Sequence, residues 1–444
     1  MSRRKLETVI FVPFYREGVF MIIVNFLINS IQVMLFIVVF YQLSVAIFGF
    51  RRHNVPSPSK PTKRFAIVIP AHNEERVIGQ LVQNLLKINY PRHLYDIFVI
   101  CDNCTDRTME IAIKGGAYAV ERFDSKHRGK GYALSWMFHR LLTKEPNRWD
   151  AFVILDADNL VSPNFLEILN TYLQNGYSLL QACLDVKNPD DSWISKCYAL
   201  SYWATNRIFQ LARYNLGWSC VLGGTGICVE TKLLEEIGWN ATSLTEDLEF
   251  TLQCMLAKNI RATWVHEAKI YDEKPVSLAQ SIRQRIRWMQ GHADCCFRYI
   301  AALLKQGIKT RNPSMVDLCM YLIQPFVIVA SGILIFAAIL QYIHPFYWSI
   351  WGSVPSKVRN ILLMTETSIP FFGLICERVS PKRILSILYL PVFSLTWIPL
   401  ALIGIFRHKA RKWTHTEHYR VVTEEELFQL TGLAITDDTS AHQS

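Results

Sequence analysis

Four stretches of the chain stay apolar far longer than a half-buried strand or amphipathic helix would: residues 19–50, 317–342, 361–376 and 384–406. A hydrocarbon core of about 30 Å needs about 20 helical residues, so the first, second and fourth are long enough to cross. The first exceeds one crossing and carries Asn25, Asn29, Ser30 and Gln32, which predicts a tilted helix with a cytoplasmic extension. No small-residue cleavage site follows it, as expected of an anchor and not a removable signal. The third is short and interrupted by Glu366 and Pro370. Arg51, Arg52, Lys60, Lys63 and Arg64 follow the first stretch, and Arg407, Lys409, Arg411 and Lys412 follow the last. Basic residues mark the cytoplasmic side. Both clusters fall there only if 361–376 is re-entrant or interfacial.

Residues 61–311 read differently. A linker rich in proline and serine (54–61) precedes short β-rich apolar runs at 65–69, 96–101 and 151–155, which alternate with amphipathic stretches such as 77–86. That alternation predicts an α/β domain with a mainly parallel sheet. The expected division is an N-terminal anchor (1–52), a cytosolic α/β domain (61–275), interfacial amphipathic helices (276–312), a C-terminal membrane region (313–406) and a cytosolic tail (407–444).

Composition agrees with a partly lipid-facing chain. Of 444 residues 51% are hydrophobic and 19% charged, against about 25% charged in globular proteins. The formal net charge of +10 suits nucleic acid, an anionic membrane face or a polyanionic substrate. Nucleic acid drops out, because the basic residues cluster beside apolar segments and not along an aromatic groove. Eleven cysteines without even spacing, with one CxxC at Cys101 and Cys104, predict reduced thiols and no structural zinc site.

Ligands of open parallel sheets lie beyond the carboxyl ends of the strands. Each apolar run ends in polar groups: His72-Asn73-Glu74-Glu75 after the first, Asp102-Asn103-Cys104-Thr105-Asp106 after the second, and Asp156-Ala157-Asp158-Asn159 after the third. Carboxylates at i and i+2 on a strand end suit a divalent cation such as Mg2+ that shares substrate phosphates. His127-Arg128-Gly129-Lys130-Gly131 before a helix at 132–142 reads either as an anion-binding loop or as a surface turn. Glu246, Asp247 and Glu249 open a helix at 247–257, where they either offset the helix dipole or supply a general base.

Residues 281–292 form an amphipathic helix. At 100° per residue Ile282, Ile286 and Met289 share one face while Gln284, Arg287 and Trp288 share the other. The apolar stripe continues through Ala293, Phe297, Ile300 and Leu304, as expected of a helix at the membrane interface, with Arg283 and Arg285 beside lipid headgroups. A tryptophan on the polar face offers a ring for stacking a sugar.

In this order the motifs resemble the membrane-embedded family 2 glycosyltransferases, which include cellulose, chitin, hyaluronan and poly-N-acetylglucosamine synthases. The resemblance covers residues 65–292 and the flanking membrane segments. It is most specific at Gln284-Arg285-Ile286-Arg287-Trp288, which matches Q(Q/R)xRW, and the wording at 102–106, 127–134, 187–193 and 223–227 is similar to the bacterial exopolysaccharide branch. The resemblance implies a GT-A-type catalytic domain at the cytoplasmic face of the cell membrane, using Mg2+ or Mn2+ and a UDP-sugar donor. It implies that Asn73, Glu74 and Asp102 hold the uridine and Lys130 lies along the nucleotide. Asp156 and Asp158 face the diphosphate, with the metal on Asp158. Asp247 is the general base, Arg287 contacts the diphosphate, and Gln284 and Trp288 line the acceptor site. Departures are Asn103-Cys104-Thr105, where many relatives have Asp-Gly/Ser-Ser, and a tail (412–420) only loosely like the family's gating segment, with Trp413, Thr414 and Arg420 as its lid candidates.

The reaction so implied is inverting transfer onto a growing polysaccharide, coupled to export through the membrane helices with accessory export proteins as partners. Trp193, Trp203 and Trp218 extend the sugar path or fill the core. The alternative is addition of a single sugar to a lipid phosphate or lipid-linked acceptor.

Overall fold

The computed structural model describes residues 3–343, 348–410, 418–423, 425, 426 and 429. At its centre is an eight-stranded sheet built from β1 (Phe65–Ala71), β2 (Tyr95–Asp102), β3 (Tyr118–Arg122), β4 (Ala151–Ile154), β5 (Leu160–Val161), β6 (Leu179–Val186), β7 (Ile227–Glu230) and β8 (Thr263–Asp272). The order is β3-β2-β1-β4-β7-β6-β8-β5. β1 pairs in parallel with β2 and β4, and β6 with β8, whereas β7 runs antiparallel to both its neighbours and β5 antiparallel to β8. The expected mainly parallel sheet is present, with a mixed half beyond β4.

Side chains on a strand alternate between faces. In β1, Phe65, Ile67 and Ile69 therefore enter one core layer and Ala66 and Val68 the other. Both faces are covered, which is why the run reads as continuously apolar. The parallel strands β1, β2 and β4 end at one rim, which brings their polar termini together.

Three described helices are long and apolar enough to cross a membrane: Val19–Phe50, Gln324–Ile343 and Pro381–Phe406. The helix Ser356–Cys376, which holds the third apolar stretch, contains Pro370 and is not among them. The polar residues of the first span hold a loop across from it. Asn25 Oδ1 accepts from the Trp348 amide at 2.8 Å, Asn29 Oδ1 from the Ile350 amide at 2.8 Å, and Gln32 Nε2 donates to Ser349 Oγ at 3.0 Å.

Two sequence expectations need correction here. The stretch 317–342 is not one segment. A short helix, Pro313–Leu322, docks on the α/β domain before the span begins at Gln324. The cause is electrostatic: Asp317, fully buried, accepts from Arg213 at 2.7 and 2.8 Å and from the Tyr41 hydroxyl at 2.7 Å. Arg213 also lies 3.5 Å above the Phe209 ring. Asp317→Ala would strand a buried guanidinium, and removing one partner of such a pair costs about 3–5 kcal/mol. Thermal unfolding in detergent should drop sharply for that variant, and Asp317→Leu with Arg213→Met should recover most of the loss.

The second correction concerns Arg285. It does not meet lipid headgroups but is wholly buried in the interfacial helix Leu278–Thr310. Its guanidinium lies 4.4 Å from the Phe393 ring and 4.9 Å from Trp397, and it donates to Thr396 Oγ1 at 2.8 Å. Its Nε also donates to the Ser281 carbonyl at 3.4 Å, so cation–π attraction and two hydrogen bonds replace its water, and the result bolts this helix to the last candidate span.

Candidate functional site

The sheet rim, the helix Leu278–Thr310 and the candidate membrane helices line one cavity of about 1080 Å³. Glu74, Asp102, Lys130, Asp156, Asp158, Asp247, Gln284, Arg287 and Trp288 all line it. Asn73 does not. With φ of +56°, its side-chain oxygen accepts from the Thr105 amide at 2.8 Å, so it braces the loop after β1 against the loop after β2.

At the β1–β2 end, Asp102 is buried and accepts from Arg122 Nη1 at 2.5 Å. Burial holds its carboxyl above the usual range, with Arg122 opposing. Lys130 begins the helix Lys130–Lys144 directly after Gly129, whose φ of +119° suits glycine. The Lys130 ammonium donates to Asp156 Oδ1 at 2.5 Å and to the Gly224 carbonyl at 2.7 Å, and lies 3.8 Å from Glu246. Burial would lower its pKa, but Asp156 and Glu246 outweigh that and keep it charged. The loop therefore points its lysine at the carboxylates and is not a free surface turn.

Asp158 is almost fully buried, and its Oδ2 accepts from the Glu273 amide at 3.0 Å. Asp272 beside it is raised by burial, with Lys274 lowering it and Asp158 raising it further. Among the described residues no three His, Cys, Asp or Glu side chains already converge as a metal site. Hard oxygen donors on Asp156 and Asp158 suit a cation such as Mg2+ or Mn2+ whose coordination is completed by substrate phosphates.

The three carboxylates of the helix Glu246–Lys258 divide their work. Glu249 is fully buried and accepts from the Thr242 and Ser243 amides at 2.7 and 2.6 Å, from the Tyr299 hydroxyl at 2.8 Å and from Arg298 at 2.5 Å. It clamps the loop that leads into Asp247. Asp247 faces the cavity, where burial first and then the charge of Glu246 push its carboxyl up to about 7. Gly291 of the interfacial helix permits this arrangement, because an added Cβ there would lie 2.5 Å from Thr245 Oγ1.

Trp288 stacks on Trp397 with centroids 6.4 Å apart and planes at 20°, and meets Tyr198 edge-on at 6.1 Å. Trp193, Trp203 and Trp218 do not line the cavity, and Trp203 donates to Asp185 at 2.6 Å. Trp413 and Thr414 lie outside the described residues. Arg420 turns to Glu426 at 2.6 Å, while its amide donates to Glu273 at 3.0 Å.

Sequence reasoning overlooked His418, which lines the cavity with Nδ1 3.0 Å from Glu74 Oε1. Burial would lower its pKa, but Asp158, Glu74 and Glu273 outweigh that and hold it at about 10. Asp272 and Glu273 were also passed over, although they obey the same rule of polar groups at a strand end, here β8.

Residues 61–291 match the family model described as "Glycosyltransferase like family 2". A beta-monoglucosyldiacylglycerol synthase of Nostoc sp. is 27% identical over 60% of this chain, and the match spans 57% of that protein's length. A probable glycosyltransferase of Bacillus subtilis, YdaM, is 22% identical over 87% of this chain and 96% of its own. The mannosyltransferase PcManGT from Pyrobaculum calidifontis, solved with GDP-Man and Mn2+, superposes with a TM-score of 0.55 at 15% identity, covering 87% of this chain and all of that one. That likeness is one of fold, and it identifies the sheet as GT-A-type.

Proposed function

We propose, from the premise that this chain belongs to glycosyltransferase family 2, that it moves one sugar from a UDP-sugar to a lipid held in the bilayer. One observation carries this reading: the cavity that holds Asp102, Asp156, Asp158 and Asp247 continues without a wall to Val327, Ile328 and Ile335 of the second span and Leu395 and Ile398 of the last. A lipid laid along that path puts its chain against apolar side chains and its headgroup at the carboxylates. The expectation of processive polymer synthesis rested mainly on Gln284–Trp288. That support weakens, because Arg285 and Trp288 pack the interfacial helix onto the last membrane segment. The Nostoc relative, by its name, also makes a glycolipid.

In this reading Glu74 and Asp102 hold the uridine, with Asn73 bracing their loops. Lys130 and Arg287 neutralise the diphosphate. Asp156 and Asp158 would hold Mg2+ or Mn2+, whose charge would offset that of the departing diphosphate. Asp247 takes the proton as the acceptor attacks the anomeric carbon from the face opposite the nucleotide, so the configuration inverts. Gln284 and Trp288 line the acceptor side. The catalytic domain lies in the cytoplasm beside the basic residues Arg51, Arg52, Arg407 and Lys409, and a product that stays in the bilayer calls for no export partner. Purified protein in nanodiscs should release UDP from one member of a UDP-sugar panel only when an acceptor lipid is supplied. Release at full rate with soluble oligosaccharide and no acceptor lipid would overturn the reading.

A further inference from the structure

The cavity changes character along its length. At the sheet end it presents carboxylates with Arg128, Lys130, Arg287 and the protonated His418 as cations, and no other lysine or arginine among the described residues lines it. The hydroxyls of Tyr202 and Tyr321 and two side-chain amides, Gln42 and Gln324, also line it. Past Gln324 the second span contributes Val327, Ile328, Ser331 and Ile335 to the lining.

Gln42 lies near the domain-facing end of the first membrane helix, and Gln324 is the first residue of the second. Both are exposed, and neither side-chain amide is hydrogen-bonded to another described residue. An uncharged amide at the border of a span is costly unless it meets a polar partner. This is the depth at which the hydrocarbon core of a bilayer gives way to its polar interfacial region, where the ester carbonyls of a glycerolipid sit. An amide N–H is a donor and an ester carbonyl an acceptor. A phosphate headgroup fits poorly, since Glu246 and Asp247 would repel it and the cations beside them, Lys130 and Arg287, serve the nucleotide diphosphate in this reading.

Resting on the lipid reading above, we propose that the acceptor is an uncharged, ester-linked glycerolipid with a free hydroxyl, and that Gln42 and Gln324 select it by hydrogen-bonding its ester carbonyls. The hydroxyl reaches Asp247 while the acyl chains run past Val327 and Ile335.

The test uses the full-length protein in phosphatidylcholine nanodiscs with its UDP-sugar and three acceptors: 1,2-diacylglycerol, the matching ether-linked dialkylglycerol, and a polyprenyl phosphate. Wild-type protein should prefer diacylglycerol over the ether by roughly three- to tenfold in kcat/KM, the worth of one or two neutral hydrogen bonds, and should leave the polyprenyl phosphate unlabelled. Gln42→Leu with Gln324→Leu should erase the ester preference and leave the nucleotide Kd unchanged. Equal use of ester and ether by wild-type protein, an unchanged preference in the double variant, or glycosylation of the polyprenyl phosphate would each overturn the proposal while sparing the lipid reading. Label found only in a water-soluble polymer would overturn the lipid reading itself.

Discussion

Asp247→Asn should lower sugar transfer by about 10²–10⁴-fold, the usual contribution of a positioned general base, while nucleotide binding stays within twofold of wild type. Only the ionised carboxylate accepts a proton. With the Asp247 carboxyl pushed up to about 7 by burial and by Glu246, the wild-type rate should rise with pH and reach half its plateau near that value. Glu246→Gln removes a neighbouring negative charge, so it should move this limb to lower pH. A pH series of kcat for the three proteins, alongside calorimetric titration with the nucleotide, reads all of these effects. Normal turnover by Asp247→Asn would remove Asp247 from the reaction.

Asp158→Asn should be nearly as damaging, by about 10²–10³-fold, the scale of losing one preorganised electrostatic group. The amide keeps an oxygen able to accept the Glu273 amide bond seen at 3.0 Å, so the fold should survive. What changes is the charge offered to the cation. The concentration of Mn2+ needed for half-maximal nucleotide binding should rise at least tenfold, with the thermal midpoint little altered. An unchanged Mn2+ dependence would contradict the assignment.

Local patterns carried the half of the sheet whose parallel strands end in polar groups at one rim. β1, β2 and β4 show as apolar runs ending in acids, and the rim they form is where Asp102, Asp156 and Asp158 now stand. The other half was opaque for a physical reason. β7 runs against both its neighbours, and the β6–β8 ladder shifts register between Ala182 and Cys183. Neither feature leaves a periodic trace.

Long-range pairs were equally invisible. Asp317 reads as the start of a span until Arg213, 104 positions earlier, is brought against it. His418 finds Glu74 across 344 positions. The helical wheel put Arg285 near its lipid-facing arginines because a wheel knows nothing of Phe393 and Trp397. The same neighbours tie Arg285 and Trp288 of the most specific family motif into a helix junction, while Gln284, Arg287 and Trp288 still line the cavity, in keeping with the lipid acceptor proposed above.

The direct test of that conclusion is the physical form of the product. Nanodiscs holding purified protein, its radiolabelled UDP-sugar and a total lipid extract should yield label that partitions into chloroform–methanol, with a mass equal to one lipid plus one sugar. Label that stays in the aqueous phase as a high-molecular-weight polymer would contradict it.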